Sequence, residues 1–154
     1  MVLWEYKEMG RMKISTKGRY ALRMMLDIAQ RQGEGYVALK EIAQRQDISK
    51  KYLEQIALQL TQGGLLRAVR GHQGGYRLTR LPEEYTVAQV LACTEGSMTP
   101  VACMDQTPNE CTRCTGCMTL PIWEGLNDVV QRYLAGITLA DVLAGRIKKP
   151  GAGE

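Results

Sequence analysis

At 154 residues the chain can bury one good core with an appended helical segment, but not two independent large domains. No apolar run approaches the ~20 residues that cross a bilayer, and the start mixes Trp4, Glu5, Lys7 and Glu8 without a signal-like stretch, so a cytoplasmic protein with no membrane partner is expected. The formal net charge of +4 hides a split: 13 Lys and Arg face 5 Asp and Glu from Lys13 to Arg80, whereas from Leu81 to Glu154 the balance is 5 against 9. A basic first half offers the phosphate-neutralising surface that a nucleic-acid partner requires.

Residues 1–11 read as an N-terminal extension, because the organised pattern begins at Met12, a second candidate initiator. Ser15 and Thr16 offer N-caps to a helix whose apolar stripe is Tyr20, Ala21, Met24, Met25, Ile28 and Ala29, with Gly33 and Gly35 as its stop. A short helix is predicted over Leu39 to Arg45. After an Asp47-Ile48 turn, Ser49 caps a third helix from Lys50 to Gln62, stopped by Gly63-Gly64. That helix buries Tyr52, Leu53, Ile56, Ala57 and Leu60 and turns Lys51, Glu54 and, on the same stripe, Leu58 outward. Helix, helix, turn, helix is the helix-turn-helix order.

Two strand-like runs follow, Leu65 to Arg70 and Tyr76 to Thr79, joined by Gly71-His72-Gln73-Gly74-Gly75. The hairpin is read as the wing of a winged helix-turn-helix. Thr86 caps a connecting helix to Thr94. Pro121 sits in the first turn of a longer helix, about Leu120 to Leu134, with Ile122, Leu126, Val129 or Val130 and Tyr133 on one stripe. A small domain has little spare core to cover that stripe, and a two-fold copy of the chain covers it naturally while matching a palindromic DNA site. Thr138 caps a short last helix from Leu139 to Ala144, after which a flexible tail begins. The fold class is therefore mainly α with a small β-hairpin. Its parts are a DNA-binding domain (12–80), a connecting helix with a cysteine loop (81–118), a dimerisation helix with a short terminal helix (119–145) and a tail (146–154).

Four of the five cysteines fall in the order Cys103-x7-Cys111-x2-Cys114-x2-Cys117. In a reducing compartment a static disulfide framework is disfavoured, and an odd number of cysteines cannot all pair in one chain. Their spacing lets thiolates converge on one centre, and soft thiolates suit an iron-sulfur cluster or zinc. Cys93 lies on the connecting helix three residues after Val90 and reads as a small buried hydrophobe. No paired catalytic carboxylates or nucleophile-plus-histidine set is present, and His72 is the only histidine, so an enzyme is not expected.

For DNA reading, Lys50 and Lys51 suit phosphates or guanine, whereas Glu54 can accept from cytosine N4. Arg70 suits a narrow minor groove, and Gly71, Gly74 and Gly75 let backbone lie close to DNA. His72 at the wing tip is read as a phosphate contact or a bystander.

The segments Met12-Lys-Ile-Ser-Thr-Lys-Gly-Arg-Tyr20, Tyr52-Leu-Glu-Gln55, Gly64-Leu-Leu66, Val69-Arg-Gly71 and Gly74-Gly-Tyr76 together resemble the Rrf-two family of winged-helix regulators, over roughly Met12 to Leu143. The resemblance implies a homodimer built on the long helix, with double-stranded DNA read by the third helix and the wing. It implies base reading by Glu54 and backbone contacts by Ser49 and Tyr52. Cluster-binding members use three cysteines in this segment, matched nearest by Cys103, Cys111 and Cys117. Their additional histidine falls, through the shared Trp123, on Leu120, which cannot ligate, so Cys114 is the candidate replacement. The implied cofactor is a two-iron two-sulfur or four-iron four-sulfur cluster. Two alternatives stand beside it: a cluster-free sensor of thiols or cysteine metabolism with an enzyme partner, as in other members, and a structural zinc module for protein interaction.

Overall fold

The computed structural model describes residues 14–151, so the N-terminal extension, the first residues of the Met12 motif and the end of the tail lie outside the described residues. Helix α1 spans Thr16–Gln30, α2 Leu39–Gln46 and α3 Lys50–Gln62. Strands β1 (Leu66–Val69) and β2 (Gly75–Leu78) pair antiparallel, then come α4 (Val87–Thr94), α5 (Leu120–Ala135) and α6 (Leu139–Leu143). Short 3-10 turns occupy Pro82–Glu84, Ala102–Met104 and Cys114–Gly116.

Local chemistry accounts for most boundaries. Ser15 caps α1 by accepting from the Gly18 amide, and the carboxylate of Glu95, at the end of α4, accepts from both the amide (3.0 Å) and hydroxyl (2.6 Å) of Ser15. Thr86 and Thr138 each close a reciprocal capping box, with Gln89 and Asp141. Helix α1 ends before the expected glycines, because the Arg31 amide turns back to the Ile28 carbonyl. Asp47 takes a left-handed conformation (φ 53°) and sets the turn from α2 to α3. The hairpin is shifted slightly from the expected runs, with Leu66 opposite Leu78 and Val69 opposite Gly75.

The core unites α1, α2, α3, the hairpin base, α4 and α6: Met24, Met25, Ile42, Leu53, Ile56, Leu60, Tyr85, Val90 and Leu139 are all solvent-inaccessible. Packing of this kind supplies the main stabilisation of a small domain. Helix α6 returns to pack on α1, so the end of the chain contributes to the core that carries the first three helices. Helix α5 is different, since none of its residues is buried and it rests against α4.

Candidate DNA interface and cysteine segment

Asp27 holds the helix-turn-helix together from inside. Its buried carboxylate accepts from Arg45 Nη2 (2.7 Å), Arg45 Nε (3.1 Å) and Gln46 Nε2 (2.8 Å), with Arg31 at 3.5 Å. Burial alone would raise its pKa, but the hydrogen bonds from Arg45 and Gln46 and the charges of Arg45 and Arg31 outweigh it and hold the carboxyl below its ordinary range. The result ties α1 to the end of α2.

Ser49 caps α3 by accepting from the Tyr52 amide at 3.2 Å. Tyr52 is only half-buried, less than the sequence pattern suggests, and meets Tyr20 edge-on at 5.7 Å between ring centres. Lys50, Lys51, Glu54 and Gln55 are exposed. Facing them is the wing, where Arg70, Gly71 and His72 are exposed at the tip. Gly71 lies at φ 119°, and a Cβ on Gly74 would come within 2.2 Å of the Val69 carbonyl. Gly75, at φ 154°, runs against Val37, where a Cβ would come within 2.3 Å of the Val37 carbonyl; Val37 and Tyr76 exchange backbone hydrogen bonds there. Between α3 and the wing lies an open cleft of about 640 Å³, with Lys50, Glu54, Leu58, Val69 and Arg70 in its lining. A helix face beside a cationic hairpin, with an open cleft between them, is an arrangement that a DNA duplex can engage.

One residue in this assembly had no sequence signal. The Tyr85 hydroxyl donates to the Leu65 carbonyl (3.0 Å) and accepts from the amides of Thr79 (2.8 Å) and Arg80 (2.9 Å), gathering the base of the wing. Its carbonyl accepts from the Leu139 amide at 3.0 Å, and Arg80 covers its ring at 4.6 Å. Wing and C-terminal helix thus meet on one residue, the wing through its hydroxyl and α6 through its backbone carbonyl. Tyrosine in a connector carries no periodicity that could have marked it.

The cysteines are distributed along an exposed segment. Cys103 is exposed, and Cys111, Cys114 and Cys117 are half-buried. Local bonds shape the loop: the Asn109 side chain accepts from the Cys111 amide (2.9 Å), and the Cys114 amide donates to the Cys111 carbonyl (3.1 Å). Cys117 stands at the entry to α5, its thiol 3.4 Å from the Thr119 hydroxyl. That contact, with the backbone amides of Thr119 and Leu120 and the charge of Arg113, lowers the thiol pKa. Among the described residues no three His, Cys, Asp or Glu side chains are gathered as a metal-holding group. The convergence expected from spacing is therefore not assembled by this loop, and bringing several thiolates together without a cation is opposed by their charge and by desolvation. The donor chemistry fits a soft metal centre; the arrangement is not preformed. Cys93 is half-buried against Gly63, and burial pushes its thiol pKa up, in line with a packing role.

Helix α5 leaves Ile122 (59 % exposed), Leu126 (40 %), Val129 (59 %) and Tyr133 (39 %) on one stripe. Their spacing repeats as four, three and four residues, the seam of a helix that packs against another helix.

The sequence model of the Rrf2 family, described as iron-dependent transcriptional regulator, matches residues 14–145. The chain belongs to the Rrf2 family. The HTH-type transcriptional regulator IscR of Aliivibrio salmonicida is 39 % identical over 132 residues, covering 86 % of this chain and 77 % of its own length. The structure of T. potens IscR aligns with TM-score 0.70 at 37 % identity, over 92 % of this chain and 93 % of that one. CymR, the global cysteine regulator of B. subtilis, aligns with TM-score 0.65 at 34 % identity, over 86 % of this chain and 96 % of that one.

As an Rrf2-family member the protein is a winged-helix transcriptional regulator and not an enzyme. No helix among the described residues is long and apolar enough to cross a membrane. Membership of this family of transcriptional regulators implies DNA as a partner.

Proposed function

We propose that this Rrf2-family regulator is a homodimer that binds a palindromic DNA site through α3 and the wing, with occupancy or specificity set by an iron-sulfur cluster on Cys103, Cys111, Cys114 and Cys117. The observation that carries the sensing half is the position of the thiols: none is fully buried, and their segment runs directly into the first turn of α5. A cluster, when bound, supplies a charge and oxidation state that differ between its forms. The chain's own part is to present soft donors, with Thr119 and Arg113 favouring the thiolate at Cys117, beside the helix proposed to join the two copies. A coupling of about 1–3 kcal/mol between loop and reading heads is enough for regulation.

A second reading is favoured by the ungathered cysteines and by the likeness to a cysteine regulator: a cluster-free thiol sensor of the same fold, working with an enzyme partner. A zinc-held interaction module is the third. Anaerobic purification with iron, sulfide and zinc analysis separates them. The expected result is a brown protein containing iron and sulfide, with both lost in Cys103→Ser, Cys111→Ser and Cys117→Ser, changed in Cys114→Ser and retained in Cys93→Ser. Zinc without sulfide selects the interaction module, and metal-free protein that still binds its operator selects the thiol sensor. Identical operator affinities with and without the cluster would refute the switch.

A further inference from the structure

A leucine stands in the middle of the proposed reading face. Leu58 is 58 % exposed, although the apolar residues of α3 on the other side, Leu53, Ile56, Ala57 and Leu60, are inaccessible or nearly so. At 100° per residue, Leu58 projects almost directly away from that core. It shares its stripe with Lys51, seven residues before it, and Glu54, one turn before it. An isolated exposed leucine is ordinary on a protein surface. This one lines the cleft between α3 and the wing, together with Lys50, Glu54, Val69 and Arg70. The cleft thus has cationic rims suited to phosphates and an apolar spot within the face that meets base edges.

Leu58 can neither donate nor accept a hydrogen bond, so any base preference it exerts must come from apolar contact. In the major groove, the C5-methyl of thymine is the apolar feature that distinguishes one base edge from the others. We propose that Leu58 is a specificity-determining residue that recognises a thymine methyl, on the same face where Glu54 is proposed to read a neighbouring base. The inference rests on the reading that α3 enters the major groove.

The experiment couples a protein group to a single DNA methyl. A duplex selected from a randomised library by the wild-type protein is resynthesised with each thymine in turn replaced by deoxyuridine, which removes only the methyl. Wild type and Leu58→Ala are titrated against every duplex. Burial of one methyl-sized group is worth about 0.8 kcal/mol, or about a fourfold change in affinity. At one thymine per half-site, wild type should lose about fourfold on the deoxyuridine duplex, and Leu58→Ala should bind the two duplexes equally. Because position 58 is exposed and alanine favours helix, the variant should melt like wild type. Equal thymine preference in both proteins at every position overturns the role of Leu58. If wild type shows no methyl dependence while Glu54→Ala still alters the selected site, the leucine inference fails and the helix reading stands. If Glu54→Ala also leaves the selected site unchanged, the helix reading fails with it.

Discussion

Asp27 shows how one side chain links stability to pH. Its native pKa lies below the ordinary 3.8, so its contribution is complete above that value and is lost as pH falls through the depressed native pKa. Asp27→Asn should therefore cost roughly 1–3 kcal/mol at neutral pH and flatten the acid side of the stability curve. Urea unfolding at neutral pH and below pH 4 checks both parts. On the proposed reading surface, Arg70 and Glu54 should fail in different ways when removed. Arg70→Ala should weaken operator binding by roughly 1–3 kcal/mol and reduce its salt dependence, whereas Glu54→Ala should relax base preference and can tighten non-specific binding by deleting a negative charge. Affinity measured across a salt series, alongside selection from a random library, distinguishes the two. An unchanged selected motif for Glu54→Ala would remove α3 from the role of base reader.

Among the elements, α5 is the one whose burial is incomplete within a single chain. Ile122, Leu126, Val129 and Tyr133 form an exposed seam on a 16-residue helix that touches the rest of the chain through α4. A strip of this kind in water favours association, so the wild-type protein should sediment as a dimer at micromolar concentration and Leu126→Asp as a monomer or aggregate that loses palindrome binding. The wing depends on a different device. Tyr85→Phe keeps the buried ring but leaves the Leu65 carbonyl and the amides of Thr79 and Arg80 short of a partner, at a cost of about 1–3 kcal/mol. If the hydroxyl positions the wing, Tyr85→Phe should also weaken operator binding in wild type and have little added effect on Arg70→Ala. Equal effects in both backgrounds would confine Tyr85 to general stability.

Across the whole molecule, the basic half and the proposed reading helix α3 belong to one end of the sequence, and the cysteines and α5 to the other. The split was legible because charge, helical periodicity, caps and glycine turns are local. Ser49 before α3, Thr86 before α4, the 3.6-residue stripes and the Gly71–Gly75 hairpin each state their structure within a few neighbours. The same locality explains the family resemblance and the selection of Glu54, Lys51 and Arg70 as surface residues. Long-range packing was not legible. That Asp27 would be buried among Arg45, Gln46 and Arg31, that Glu95 at the end of α4 would hold Ser15, the cap of α1, and that Tyr85 would join the wing to α6 all depend on residues that meet only after the chain has folded back. The cysteine spacing shows the converse limit. Sequence offered a candidate donor set, but whether the donors meet depends on the loop's conformation, and among the described residues they are not gathered. Sequence by itself thus determined the elements and their chemistry, and tertiary structure decided which of those chemistries share a surface, because only folding sets distances between residues far apart in the chain.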